Sequence, residues 1–164
     1  MRSPKTSAFP ALFASSSLAR VTQFHTHMVG AQKDLIEVAE ATPPLVLIVD
    51  DSPDARALFG EYLEHLGFRV DTAANGLQAI QSVHREWPAI IIMDLAMPEL
   101  DGWQAIQRLK TDPLTADIPI VALSAHAFGE GADRAREAGA DLCLPKPCLP
   151  SQLARVIRAM LVRR

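Results

Sequence analysis

The sequence predicts an α/β fold, a doubly wound five-stranded parallel sheet with five helices, for which 2-1-3-4-5 is a common strand order. Wholly apolar runs, above all Leu45–Val49 and Ala89–Met93, read as strands buried on both faces. From Pro44 onward such runs alternate with stretches of helical period, the pattern of a parallel sheet covered by helices. Acids stand directly after two of the runs, Asp50-Asp51 and Asp94, where open α/β sheets place their ligands.

The first strand is Leu45–Val49. Ser52 offers an N-cap and Pro53 a first helical position, where its missing N–H costs nothing. Ala55, Leu58, Phe59, Tyr62, Leu63 and Leu66 recur at helical spacing, and Gly67 suits the position just past the helix end. Phe68–Ala73 is a second strand, less apolar and therefore expected at an edge. Asn75-Gly76 turns into a helix that points Leu77, Ile80, Val83 and Trp87 inward. The third strand runs into Asp94. Asp101-Gly102 starts a helix with Trp103, Ile106 and Leu109 on one side. Ile118–Leu123, ending at Ser124, is a fourth strand. Ala127–Ala138 has an alanine-rich helical pattern weakened at its start by Gly129 and Gly131. Leu142–Leu144 is a short fifth strand before Pro145-Lys146-Pro147. The last helix, from about Ser151, carries Leu153, Val156, Ile157, Met160 and Leu161 on one face, with Arg163 and Arg164 suited to the dipole at its end.

The 164 residues suffice for a domain with a real core. Residues 1–43 read as an N-terminal extension, disordered or partly helical, with a short helix over Gln32–Ala41 that Thr42-Pro43-Pro44 stops; residues 44–164 read as the folded domain. The first 33 residues contain no acid, which suggests a targeting segment, but Pro10 and the serines break the apolar stretch; Met28 is an alternative start. His25 and His27 lack further metal ligands nearby. Net charge is −3, with no polybasic stripe, so direct nucleic-acid binding is not expected. No apolar stretch approaches the roughly 18 residues that span a bilayer, so no membrane partner is expected. Cys143 and Cys148 are too few for a disulfide framework and read as reduced thiols in a cytoplasmic protein.

Asp50, Asp51, Asp94, Ser124 and Lys146 stand at the ends of strands one, three, four and five. In the order 2-1-3-4-5, strands one and three are neighbours, so three carboxylates meet at one edge and repel. A hard divalent cation relieves this, and oxygen ligands suit Mg²⁺. A lysine and a serine beside them complement a phosphoryl group, whose charge is spread over equatorial oxygens.

These motifs, Asp50-Asp51, Met93-Asp94-Leu95-Ala96-Met97-Pro98 with Asp101-Gly102, Ser124-Ala125 and Lys146-Pro147, resemble those of the receiver domain of two-component response regulators, a flavodoxin-like fold. The resemblance covers Pro44 to Arg164 and is closest to single-domain, chemotaxis-regulator-like receivers. It implies that Asp94 is the phosphoacceptor, taking a phosphoryl group from a sensor histidine kinase or histidine phosphotransfer protein. Asp51, Asp94 and the backbone carbonyl of Ala96 would hold Mg²⁺, with Asp50 acting mainly through water. Lys146 would pair with Asp94 and then with the phosphate, Ser124 would hydrogen-bond the phosphoryl oxygen, and the Lys146–Pro147 peptide would be cis.

Two departures stand out. Receivers usually carry an aromatic rotor three residues before the lysine, and here that position is Cys143, which implies an altered output switch. In receivers the side chains at the positions of Ala96 and His126 influence the access of water and thus phosphate lifetime, and apolar Ala96 has no group to orient a water. The chain ends with its fifth helix, so the expectation is a stand-alone receiver that signals by protein contact through helix four, strand five and helix five. Alternatives are a phosphorelay intermediate or phosphate sink, a receiver that binds partners without being phosphorylated, and a Mg²⁺-dependent aspartyl-phosphate phosphohydrolase. The last lacks a second acid two residues beyond the nucleophile and a cap insertion. The resemblance therefore implies no enzyme beyond catalysis of its own phosphorylation and dephosphorylation.

Overall fold

Five parallel strands, β1 (Leu45–Val49), β2 (Arg69–Ala73), β3 (Ile90–Asp94), β4 (Ile120–Ser124) and β5 (Leu142–Pro145), form one sheet in the order β2-β1-β3-β4-β5, as the sequence predicts. A computed structural model describes residues 42–128 and 130–162, and from Pro43 these belong to one compact unit. The helix expected over Gln32–Ala41, His25, His27, Gly129, Arg163 and Arg164 lie outside the described residues. The helices among the described residues are α1 (Pro53–His65), α2 (Gly76–Arg85), α3 (Gly102–Thr111), α4 (Glu130–Glu137) and α5 (Pro150–Val162).

Every residue of β1, β3 and β4 is buried, because helices cover both faces of the central sheet. Side chains alternate between the two covers. Val46, Ile48, Ile90, Ile92, Val121 and Leu123 pack against Phe59 and Leu63 of α1 and Leu153 and Ile157 of α5. Leu47, Val49, Ile91, Met93, Ile120 and Ala122 pack against Val83 of α2, Ile106 and Leu109 of α3 and Ala135 of α4. Burying each large side chain stabilises the fold by about 1.5–3 kcal/mol. β2 lies at an edge and is only partly buried, in keeping with its polar Arg69, Asp71 and Thr72.

Caps set where helices begin. Ser52 Oγ accepts from Ala55 N at 3.3 Å, Asn75 Oδ1 from Gln78 N at 2.8 Å, and Asp101 Oδ1 from Gln104 N at 2.8 Å. Gly67 closes α1 with φ of 87°, which a side chain rarely adopts. At the opposite edge of the sheet, Lys110 Nζ donates to Ala116 O, Ile118 O and Asp141 Oδ2, fastening α3 to the entries of β4 and β5.

Leu58, Tyr62 and Leu77, and Trp87 just past the end of α2, are exposed, against expectation; Phe59, Leu63 and Val83 are buried as expected, joined by Gly60 on α1 and by Ala79 and Ser82 on α2. Helix α4 begins at Glu130 rather than Ala127, and Phe128 before it is 80% exposed.

Candidate functional site

The parallel sheet delivers its strand ends to one edge, and the acids arrive there by construction. Asp50 follows β1 and Asp94 ends β3, its neighbour; both are buried, whereas Asp51 faces solvent. One oxygen from each of the three carboxylates lies within 4.8 Å of the others.

Hydrogen bonds orient each acid. Asp50 Oδ1 accepts from Ser52 N at 2.9 Å, and Asp94 Oδ1 from Ala96 N at 3.1 Å. Their other oxygens share one cation: Lys146 Nζ lies 2.9 Å from Asp50 Oδ2 and 2.8 Å from Asp94 Oδ2. Burial lowers the ammonium's pKa, but the hydrogen bonds and charges of Asp94 and Asp50 outweigh it and hold Lys146 above its usual value. Lys146 N donates to Ser124 O at 2.8 Å, which locks the end of β5 to that of β4, and the Lys146–Pro147 peptide is cis.

Ser124 ends β4 and is buried, its Oγ accepting from His126 N at 3.0 Å. Ala96 and His126 are exposed on the loops after β3 and β4. These loops border a cleft of about 1070 Å³ lined by Asp51, Ala96, Ser124, His126, Phe128 and Arg134. Arg134 of α4 stacks over the Trp103 ring of α3, 4.9 Å from its centroid. Gly131 lets α4 start here, because a Cβ would sit 1.7 Å from His126 O. Cys143, half-buried, packs on the α2–α3–α4 side of the sheet. Burial pushes its thiol up, against a smaller opposing effect of Arg136.

Two contacts had no signal in the sequence. Arg56, in the first turns of α1, donates from one guanidinium nitrogen to Asp50 O at 2.6 Å and Asp51 O at 3.1 Å, fixing the backbone of the acid pair. Asn75 Nδ2 donates to Glu99 Oε2 at 2.8 Å, across twenty-four residues, tying the start of α2 to the loop after Asp94. Glu99 has φ of 65°. That left-handed conformation costs a residue with a Cβ about 1–2 kcal/mol.

The donor set fits a hard divalent cation. All its oxygens are carboxylate, Asp51 is open to solvent, and three carboxylates against one ammonium leave a net charge of about −2 for a cation to balance.

A doubly wound 2-1-3-4-5 sheet with an acid cluster and a lysine at its C-terminal edge defines the receiver class of α/β domain. The model of the response regulator receiver domain matches residues 46–158. Response regulator Rre1 of Synechocystis sp. is 35% identical over 125 residues, covering 76% of this chain and 54% of that protein. Transcriptional regulatory protein PrrA of Mycobacterium tuberculosis is 37% identical over 123 residues, covering 75% and 52%. The chain thus spans about half the length of these curated relatives. Among solved structures, the receiver domain of a Pseudomonas aeruginosa sensor histidine kinase, with a magnesium ion coordinated in its active site cleft, matches with a TM-score of 0.68 at 30% identity, covering 73% of this chain and 98% of that one. The signal receiver domain of a Syntrophus aciditrophicus histidine kinase gives 0.68 at 32% identity, covering 73% and 91%. The chain belongs to the response regulator receiver domain family of two-component systems. Among its described residues no helix is long and apolar enough to cross a membrane.

Proposed function

We propose that Asp94 accepts a phosphoryl group from a phosphohistidine on a sensor histidine kinase or phosphotransfer protein, in a Mg²⁺-dependent reaction catalysed by the receiver's own residues. The observation that carries this is the single ammonium of Lys146 held between Asp50 and Asp94, 2.9 and 2.8 Å away, with Asp51 completing the acid cluster.

In this reading a carboxylate oxygen of Asp94 attacks phosphorus while the phosphorus–nitrogen bond of phosphohistidine breaks. The bonding pair goes to the imidazole, which takes a proton from solvent, and Asp94 becomes an acyl phosphate. Asp51, Asp94 and the Ala96 carbonyl would hold Mg²⁺, with Asp50 acting mainly through water, and the bound ion would supply charge neutralisation for the transferring group. Lys146 turns its ammonium from the carboxylates to the phosphoryl oxygens. Ser124 Oγ, now accepting from His126 N, donates its own hydrogen to the phosphate and draws the loop after β4 with it.

Ala96 and His126 flank the path of a hydrolytic water and set the lifetime of the acyl phosphate. Cys143 is too small to swing as an aromatic rotor, so the signal passes through the Ser124 loop to a protein target on the face of α4, β5 and α5. A cytoplasmic location goes with this reading.

The test is incubation with a small phosphodonor such as acetyl phosphate, read by intact mass. We expect one added phosphoryl group that needs Mg²⁺ and disappears in Asp94→Asn. No addition, or equal addition to Asp94→Asn, defeats the proposal.

A further inference from the structure

Asn75 is a buried amide at the start of α2 that does two separable things. Its Oδ1 caps the helix by accepting from Gln78 N, and its Nδ2 donates to the carboxylate of Glu99. Glu99 lies in the loop joining Asp94 to α3, and it is the one non-glycine residue with positive φ among the described residues.

The same loop is gripped at two further points. Gly76 N donates to Leu100 O at 3.0 Å, and the contact is so close that a Cβ on Gly76 would sit 2.7 Å from that oxygen. Gly102 N donates to Leu95 O at 3.2 Å, and a Cβ on Gly102 would sit 2.1 Å from Asp94 O. Between these grips the Asn75 bond holds Glu99 in a conformation the residue disfavours on its own. Ala96, in the same loop, donates its N–H to Asp94 Oδ1.

We infer that Asn75 is a positioning residue for the phosphoacceptor loop, acting through Glu99 to hold Ala96 and Asp94 in register for the cation. This rests on the phosphoacceptor reading above. Releasing Glu99 lets the loop relax toward an ordinary φ, and the relaxation moves groups of the acid site.

The two roles of Asn75 separate by substitution. Asn75→Asp keeps the cap, since aspartate accepts from Gln78 N equally well. It also removes the donor and sets two carboxylates face to face. Glu99→Gln alone keeps the bond, because its amide oxygen still accepts from Asn75. The double variant Asn75→Asp/Glu99→Gln exchanges donor and acceptor and restores it.

The experiment is calorimetric titration of the full chain with Mg²⁺, with melting temperature recorded beside it. We expect Asn75→Asp to weaken Mg²⁺ binding by about tenfold, the low end for losing an outer partner of a metal site. Glu99→Gln should stay within about twofold of wild type, and the double variant should recover most of the loss. A double variant as weak as Asn75→Asp, or an Asn75→Asp protein that titrates like wild type, overturns the inference alone. Wild-type protein that binds no Mg²⁺ overturns the phosphoacceptor reading and this inference with it.

Discussion

Replacing Lys146 by methionine keeps an unbranched chain in the site and removes the ammonium that Asp50 and Asp94 share. Each contact is a charge-assisted hydrogen bond, and such bonds contribute about 1.5–3 kcal/mol. The carboxylate side chains are 2% and 5% exposed, so losing their partner is costly, yet the lysine side chain is 33% exposed and water screens the pair. The lower end of the range therefore applies, about 3 kcal/mol for the two contacts together. For a domain of this size that corresponds to a melting temperature lower by about 10 °C. The assay is thermal denaturation followed by circular dichroism, once in EDTA and once in saturating Mg²⁺. Because the variant leaves three acids without a counter-charge, Mg²⁺ should raise its melting temperature by more than it raises the wild type's. A variant that melts within about 2 °C of wild type in EDTA would refute the role assigned to this cation.

Other positions test other links. Gly102→Ala forces a methyl onto the backbone at Asp94, where neither side can yield; a loss of about 2–3 kcal/mol in urea denaturation is expected, and an unchanged midpoint contradicts the close approach. Leu153→Ala empties a fully buried position between α5 and the sheet and should cost about 2–5 kcal/mol by the same assay; a cost below about 1 kcal/mol contradicts the packing. Burial pushes the thiols of Cys143 and Cys148 above their ordinary value of 9.0, against smaller opposing effects of Arg136 on the first and a backbone hydrogen bond with Leu153 on the second. A raised thiol pKa favours the fold below the unfolded pKa, and that contribution is lost as pH rises through the folded pKa, above about pH 9. Alkylation at pH 8 should accordingly be slower in the native protein than in urea, and equal rates count against the burial.

How much of this was legible in the chain depends on the distance over which each signal acts. Leu45–Val49 and the run into Asp94 are apolar at every position, which only a strand covered on both faces requires, so the central sheet and its acids could be read directly. The helix faces were harder. On α2, Val83 could be read as inward, but Leu77 on the same helix faces solvent, and the stripe is completed by Ala79 and Ser82, small residues that allow close packing and leave little trace in an apolar pattern. On α1, Leu58 and Tyr62 sit one step from Phe59 and Leu63, and a period of 3.6 residues does not separate adjacent faces. The start of α4 depends on the contact of Gly131 with His126 O, which belongs to the folded backbone. Arg56 on the acid-pair carbonyls and Asn75 on Glu99 could not be read at all, since neither pairing has a local pattern. Strand ends announce the acids of a site, whereas the groups that hold those acids still arise from tertiary structure.

The central claim is that Asp94 itself becomes an acyl phosphate. The most direct measurement is borohydride reduction after incubation with acetyl phosphate and Mg²⁺, followed by peptide mapping. Borohydride reduces an aspartyl phosphate to homoserine and leaves free aspartate and phosphoserine alone. Homoserine is expected at position 94 and nowhere else. Homoserine at position 50 or 51, or a stable phosphate on Ser124 with position 94 unchanged, would contradict it.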